Sequence, residues 1–291
     1  MKDHLFNVVK GFLMGAANVV PGVSGGTIAL ITGIYSRLVA SLDSLTLPTT
    51  WKALLHGRFR EFWKAIDGSF LLALATGVIL SIFSLAKLMT TALERYPVCT
   101  WAFFFGLIIA SAVLMFRGIK GWSWKEVLLA LAGAGLGVAI CMLTPSSTPD
   151  ALWFIFICGA VAICTMILPG ISGSFVLLLM GKYDYIMQAL DLSSPDIPVL
   201  LVFAAGCLVG IAAFAKFLHW VLGRWEKQTM VLLLGFIIGS LVKVWPWQVE
   251  LGDGLLHPAA PQGNIGWAVL WCLLGLVTVI LTEILGRKRK Q

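Results

Sequence analysis

The chain has 291 residues, 59% of them hydrophobic and 12% charged, with 30 Gly, 12 Trp and a net charge of +7. Soluble domains run at roughly 45–50% apolar and about 25% charged residues, so a soluble core is excluded and one all-α polytopic membrane domain over residues 1–291 is predicted. The Lys and Arg residues form no stripe with interleaved aromatics, which sets nucleic acid aside and leaves the lipid bilayer as the implied partner.

Residues 1–26 have the outline of a signal peptide, but Lys10 interrupts the apolar stretch and the motif beyond it recurs deep in the chain, so the segment reads as retained structure. The segment of about 5–42 carries Asn18-Val-Val-Pro21-Gly22-Val23-Ser24-Gly25-Gly26-Thr27, followed by Gly33-Ile34-Tyr35. It is too long for one crossing, and its central Pro-Gly removes a donor and disfavours continued helix. A re-entrant hairpin of two short helices is expected, the second running over Thr27–Leu42. A polar loop of about 43–68 with Lys52, Arg58, Arg60 and Lys64 comes next, then apolar spans of about 69–90, 100–116 and 126–143.

The second half repeats this order. A segment of about 151–190 carries Leu168-Pro169-Gly170-Ile171-Ser172-Gly173-Ser174 and Gly181-Lys182-Tyr183, with a second helix expected over Phe175–Leu190. Spans of about 198–222, 229–246 and 265–285 follow. The motif residues match at an offset of 148, and Gly77, Ala86-Lys87, Arg95, Thr100 and Gly106 match Gly206, Ala215-Lys216, Arg224, Thr229 and Gly235 at 129. The offset falls because the basic loop shrinks to about 191–197 in the second copy. Two repeats are predicted, 1–143 and 151–291, each a re-entrant hairpin plus three transmembrane helices. Three crossings per repeat are odd in number, so the repeats should be inverted, with the hairpin tips approaching from opposite faces. With both termini cytoplasmic, 16 of the 21 Lys/Arg fall inside, two (Arg95, Lys182) outside and three (Lys87, Lys216, Lys243) within spans, as the positive-inside rule requires.

Non-helical backbone survives at membrane depth only when buried in protein or lining a polar cavity, so the tips should face such a cavity. Each tip sets Ser and Gly before a new helix start, where free N–H groups favour an anion. The candidate phosphate-binding set is Asn18, Pro21, Gly22, Ser24, Gly25, Gly26 and Thr27 with Pro169, Gly170, Ser172, Gly173 and Ser174: glycines for close backbone approach, hydroxyls and an amide as donors. Lys87, Lys216 and Arg37 are possible charge partners, although snorkelling to headgroups accounts for the two lysines as readily. The six Cys and four His have neither metal-site nor triad spacing, so no metal, cofactor or catalytic residue is expected.

The paired Pro-Gly-x-Ser-Gly strings, with Gly-x-Tyr after each, closely resemble the bacterial polyprenyl-phosphate transporters (PopT) over essentially the whole chain. The resemblance implies a flippase that returns undecaprenyl phosphate from the outer to the cytoplasmic leaflet of the inner membrane, for carrier-lipid recycling in envelope and peptidoglycan synthesis. The same core is similar to the Pro-Gly-x-Ser-Arg-Ser signature of the membrane undecaprenyl-pyrophosphate phosphatases. Here Gly25 and Gly173 stand where that signature has its phosphate-binding Arg, and no span carries a Glu-x-x-x-Glu pair, so transport is favoured over hydrolysis. A small inorganic anion remains an alternative cargo, since such a tip would hold sulfate or phosphate equally well.

Overall fold

The computed structural model describes residues 2–19, 24–143, 148–190, 194–250 and 256–287. Its helices in chain order are α1 (Lys2–Val19), α2 (Gly25–Ile31), α3 (Tyr35–Ser44), α4 (Pro48–Leu55), α5 (Phe59–Ala65), α6 (Gly68–Arg95), α7 (Pro97–Gly118), α8 (Trp124–Cys141), α9 (Leu152–Ile167), α10 (Gly173–Leu179), α11 (Tyr183–Ala189), α12 (Ile197–Ser240) and α13 (Ile265–Arg287). The protein is an all-α membrane protein. Among the described residues four runs are long and apolar enough to cross a bilayer, on α6, α7, α8 and α12, and α2 with α3 make a fifth if counted as one broken span.

The apolar runs read from the sequence fall mainly on helices, with the run of 126–143 passing the end of α8 at Cys141. The spans expected at 198–222 and 229–246 share α12, the second running on past Ser240 into a 3-10 turn at Leu241–Val244, and the break between them narrows to Trp225, whose φ of −137° and ψ of 51° leave the helical region. A two-stranded antiparallel ribbon, β1 (Gln248–Glu250) and β2 (Leu256–Pro258), was not expected. It is too short to carry a periodic signal, and Trp245 Nε1 ties it down by donating to Ala259 O at 2.9 Å.

The helix after each tip departs from expectation. Instead of running continuously over Thr27–Leu42, the chain ends α2 at Ile31 and restarts as α3, bent by 117°. The cause is Gly33 at φ +68°, a left-handed conformation that only glycine adopts without a Cβ penalty. Gly33 N donates to Leu30 O at 3.1 Å and Ile34 N to Ala29 O at 3.0 Å, the paired bonds of a Schellman stop. The second segment ends α10 the same way: Gly181, at φ +62°, donates to Leu178 O and Lys182 to Leu177 O, both at 2.9 Å. The Gly-x-Tyr strings are therefore helix stops followed by a turn into the next helix.

The chain divides into two compact units, Met1–Ile82 with Pro145–Glu226, and Phe83–Thr144 with Lys227–Gln291. Each unit draws on both halves of the sequence. In the first, α1 lies against α6 backbone to backbone: a β-carbon at Gly77 would stand 2.0 Å from Val8 O, and one at Gly11 would stand 2.2 Å from Leu74 O. The pair α9 and α12 repeats this approach: a β-carbon at Gly206 would stand 2.0 Å from Phe156 O, and one at Gly159 would stand 2.2 Å from Phe203 O. These are the same contacts at the offsets of the sequence repeat.

In the second unit the pairing crosses the repeat boundary. A β-carbon at Gly106 of α7 would stand 2.0 Å from Cys272 O of α13, and one at Gly275 would stand 2.1 Å from Phe103 O. Gly235 of α12 and Gly133 of α8 repeat this with Ala130 O at 2.0 Å and Leu232 O at 2.3 Å. The last helix of each half thus packs on the middle long helix of the other half. Small residues permit the approach, and van der Waals contact at this range drives helix association where lipid removes the hydrophobic incentive.

Candidate functional site

The two motif tips meet inside the first unit. Ser24 is the N-cap of α2, its hydroxyl accepting from Gly26 N at 3.1 Å. The same hydroxyl donates to Leu168 O at 2.9 Å, across to the second tip. Thr27 Oγ1 accepts from Gly170 N at 2.8 Å. Both side chains are 1% exposed. Asn18 reaches back from α1, its Oδ1 accepting from Gly25 N at 2.7 Å, and leaves no room for a side chain there: a β-carbon at Gly25 would stand 2.8 Å from Asn18 Nδ2. One at Gly26 would stand 2.5 Å from Ile167 O, so glycine here is a condition of the tips touching.

The second tip spends its hydroxyls differently. Ser172 is the N-cap of α10 yet makes no cap bond; its hydroxyl and that of Ser174 bond one another at 2.7 Å. Ser172 is buried and Ser174 half-buried. Pro169 and Gly170 are fully buried where the first tip crosses. A β-carbon at Gly173 would stand 2.7 Å from both Ala162 O and Met166 Cγ. An arginine of the phosphatase signature would meet the Ala162 backbone at Gly173 and would have to displace the Asn18 side chain at Gly25. Pro21 and Gly22 lie outside the described residues.

Both bends are held by side chains from elsewhere in the unit. Lys10 Nζ donates to Thr32 O at 2.9 Å, and at the equivalent carbonyl Thr148 Oγ1 donates to Met180 O. Lys182, 3% exposed, donates to Thr148 O at 2.8 Å and Asp150 Oδ1 at 2.7 Å, so its charge serves the bend. Tyr35 begins α3 with its ring 1% exposed and, among the described residues, no hydrogen-bond partner for its hydroxyl.

The charge partners considered from sequence do not gather at the tips. Arg37 forms a two-pronged pair with Asp67 at 2.6 and 3.1 Å and stacks over Phe70 at 4.2 Å. Lys87 and Lys216 are exposed on their helices and fall in different units. Sequence reasoning missed Asp43 and His219, which lie 2.6 Å apart, Oδ2 to Nδ1, and join the end of α3 to α12. Asp43 is buried, and 176 positions separate it from its partner, so no local pattern flagged either residue.

Residues 14–253 match the family described as undecaprenyl phosphate translocase-like. A protein of Vibrio cholerae named polyprenyl-phosphate transporter is 44% identical over 252 residues, covering 86% of this chain and 80% of its own length. A protein of the same name from Staphylococcus aureus is 33% identical over 256 residues, covering 82% of this chain and 86% of its own length. No solved structure matches.

Proposed function

The chain belongs to the undecaprenyl phosphate translocase-like family, and from that premise we propose that it carries the phosphate head of a polyprenyl phosphate across the bilayer past the paired tips while the isoprenoid tail stays in lipid. The direction we assign is from the outer to the cytoplasmic leaflet of the bacterial inner membrane, with both termini cytoplasmic, since that orientation gathers the basic residues inside. The two repeats act as inverted halves, each led by a re-entrant hairpin. The glycine contacts and Schellman stops recurring at the sequence offsets support this reading. Among the described residues no group suited to cleaving a phosphoanhydride stands at either tip, and an added β-carbon at Gly25 or Gly173, where the phosphatase signature has arginine, would already meet neighbours below 3 Å, which supports carriage without hydrolysis.

The observation that carries the proposal is the hydrogen-bonded contact between the tips. Ser24 and Thr27 act as a latch, each contributing one bond to the opposite tip. Such bonds are worth about 0.5–1.5 kcal/mol each net, so the latch opens at a cost that one incoming phosphate offsets. Ser172 and Ser174 are the receiving pair: bonded to each other when empty, they turn to donate both protons to a phosphate oxygen. Asn18, Gly25, Gly26, Pro169, Gly170 and Gly173 shape the backbone around them, with Pro21 and Gly22 completing the first motif.

A leaflet-resolved assay of purified protein in liposomes tests this. Undecaprenyl phosphate should equilibrate between leaflets in proteoliposomes and fail to do so with Ser172→Ala/Ser174→Ala protein. Equal rates for the two proteins would remove the serines from the path. Inorganic phosphate released from undecaprenyl pyrophosphate by the wild-type protein would establish an enzyme instead.

A further inference from the structure

The segment between the first bend and α6 is the largest departure from the repeat, its counterpart being reduced to about 191–197. It folds as α4 and α5, joined through Gly57 at φ +74°. The rings of Trp51 and Phe62 meet at 5.8 Å, and Phe59 stands edge-on to Phe62 at 6.5 Å. Trp63 fixes the pair to the start of α6: its ring covers Gly68, and its indole N–H donates to Ser69 Oγ at 3.0 Å. α5 ends at Ala65, three residues before the apolar span on α6 begins at Gly68, and so sits beside the end of that span.

At that position the apolar side chains are uncovered. Leu55 is 82% exposed, Phe59 67% and Trp51 47%, with Leu47 and Trp63 also open, and α5 buries no residue. Lys52, Arg58, Arg60 and Lys64 are exposed among them, and Glu61, which Arg58 engages at 3.5 Å, is the one acid in residues 47–66. Trp and Phe settle at the headgroup level, and basic side chains lay their stems along apolar surface while reaching for phosphodiesters.

We propose that α4 and α5 form a foot that binds anionic phospholipid headgroups in the leaflet at the Gly68 end of α6. Its aromatic and aliphatic side chains enter the acyl boundary, and its four cations select the anionic headgroup, each by about 1 kcal/mol near such a surface, or roughly fivefold. The inference does not depend on the transport reading.

The test is hydrogen exchange over residues 48–65 of the full chain in lipid nanodiscs, in phosphatidylcholine alone and with phosphatidylglycerol added. Exchange should slow by roughly tenfold or more when the anionic lipid is present. The variant Lys52→Gln/Arg58→Gln/Arg60→Gln/Lys64→Gln, altering only exposed side chains, should lose that difference while keeping its transport rate in neutral lipid. Equal protection in both lipids, or none relative to detergent, overturns the proposal. Protection confined to discs holding two copies of the chain would assign the face to a second copy and also overturn it.

Discussion

The two tips share a backbone plan and differ in how they use it. At the first, the Ser24, Thr27 and Asn18 side chains bond backbone groups, two of them on the opposite tip. At the second, the Ser172 and Ser174 hydroxyls bond, among the described residues, only each other, and the N-cap makes no cap bond. On the function proposed above, the two motifs divide the work: the first tip closes the site, and the second keeps hydroxyls that a ligand can claim without breaking the fold. Substitutions of the bonding side chains at the first tip should therefore move stability and transport together, and those of the two serines at the second should move transport alone.

Gly26→Ala should give the largest effect. Its methyl would stand 2.5 Å from Ile167 O, a backbone atom that cannot swing away, so the tips must part. Overpacking of this kind costs about 1–3 kcal/mol, and with the latch lost transport should fall to background. Melting temperature in detergent and leaflet-resolved transport measure the two losses. Gly173→Ala is the milder case: its β-carbon would meet one backbone atom, Ala162 O, at 2.7 Å rather than 2.5 Å, and its other close neighbour, Met166 Cγ, belongs to a flexible side chain, so the loss of stability should be smaller.

Thr27→Val comes next. It keeps the shape and leaves the buried Gly170 N–H without its acceptor, which costs about 1–3 kcal/mol, while Thr27→Ser should restore both stability and transport. Ser172→Ala/Ser174→Ala is the complement, with transport reduced and the melting temperature within about a degree of wild type, because among the described residues the two hydroxyls partner only each other. An equal fall in stability from both sets of variants would end the division between latch and receiver.

Much of this was legible in the sequence, and the failures have a common cause. Apolar runs give away spans because the bilayer fixes their length, so they fall mainly on helices. Gly33 and Gly181 were visible as a repeated Gly-x-Tyr, yet the bend they impose depends on φ, which an apolar pattern does not report. The exchange of α8 and α13 between halves, the bond from Ser24 to Leu168, and the pairing of Asp43 with His219 join positions about 100 or more residues apart. The tip glycines were read as room for a ligand. In the structure that room is filled by Asn18 and Ile167, because a glycine marks close approach without saying what approaches.

Tyr35→Phe carries the comparison to its smallest expected effect and separates the first bend from the first tip. The Tyr35 ring fills the start of α3 at 1% exposure, and its hydroxyl has no hydrogen-bond partner among the described residues. Tyr183, its counterpart, is half-buried and packs against Cys158, Ala162 and Leu177. A buried hydroxyl without a partner costs stability, and phenylalanine keeps the packing while removing the unsatisfied group. The variant should therefore match wild type or exceed it by up to about 1 kcal/mol, whereas Tyr183→Phe should change nothing. If Tyr35→Phe instead slowed transport while the melting temperature held or rose, the hydroxyl would belong to the transport path. The polar work of the first repeat would then extend beyond its tip to the bend.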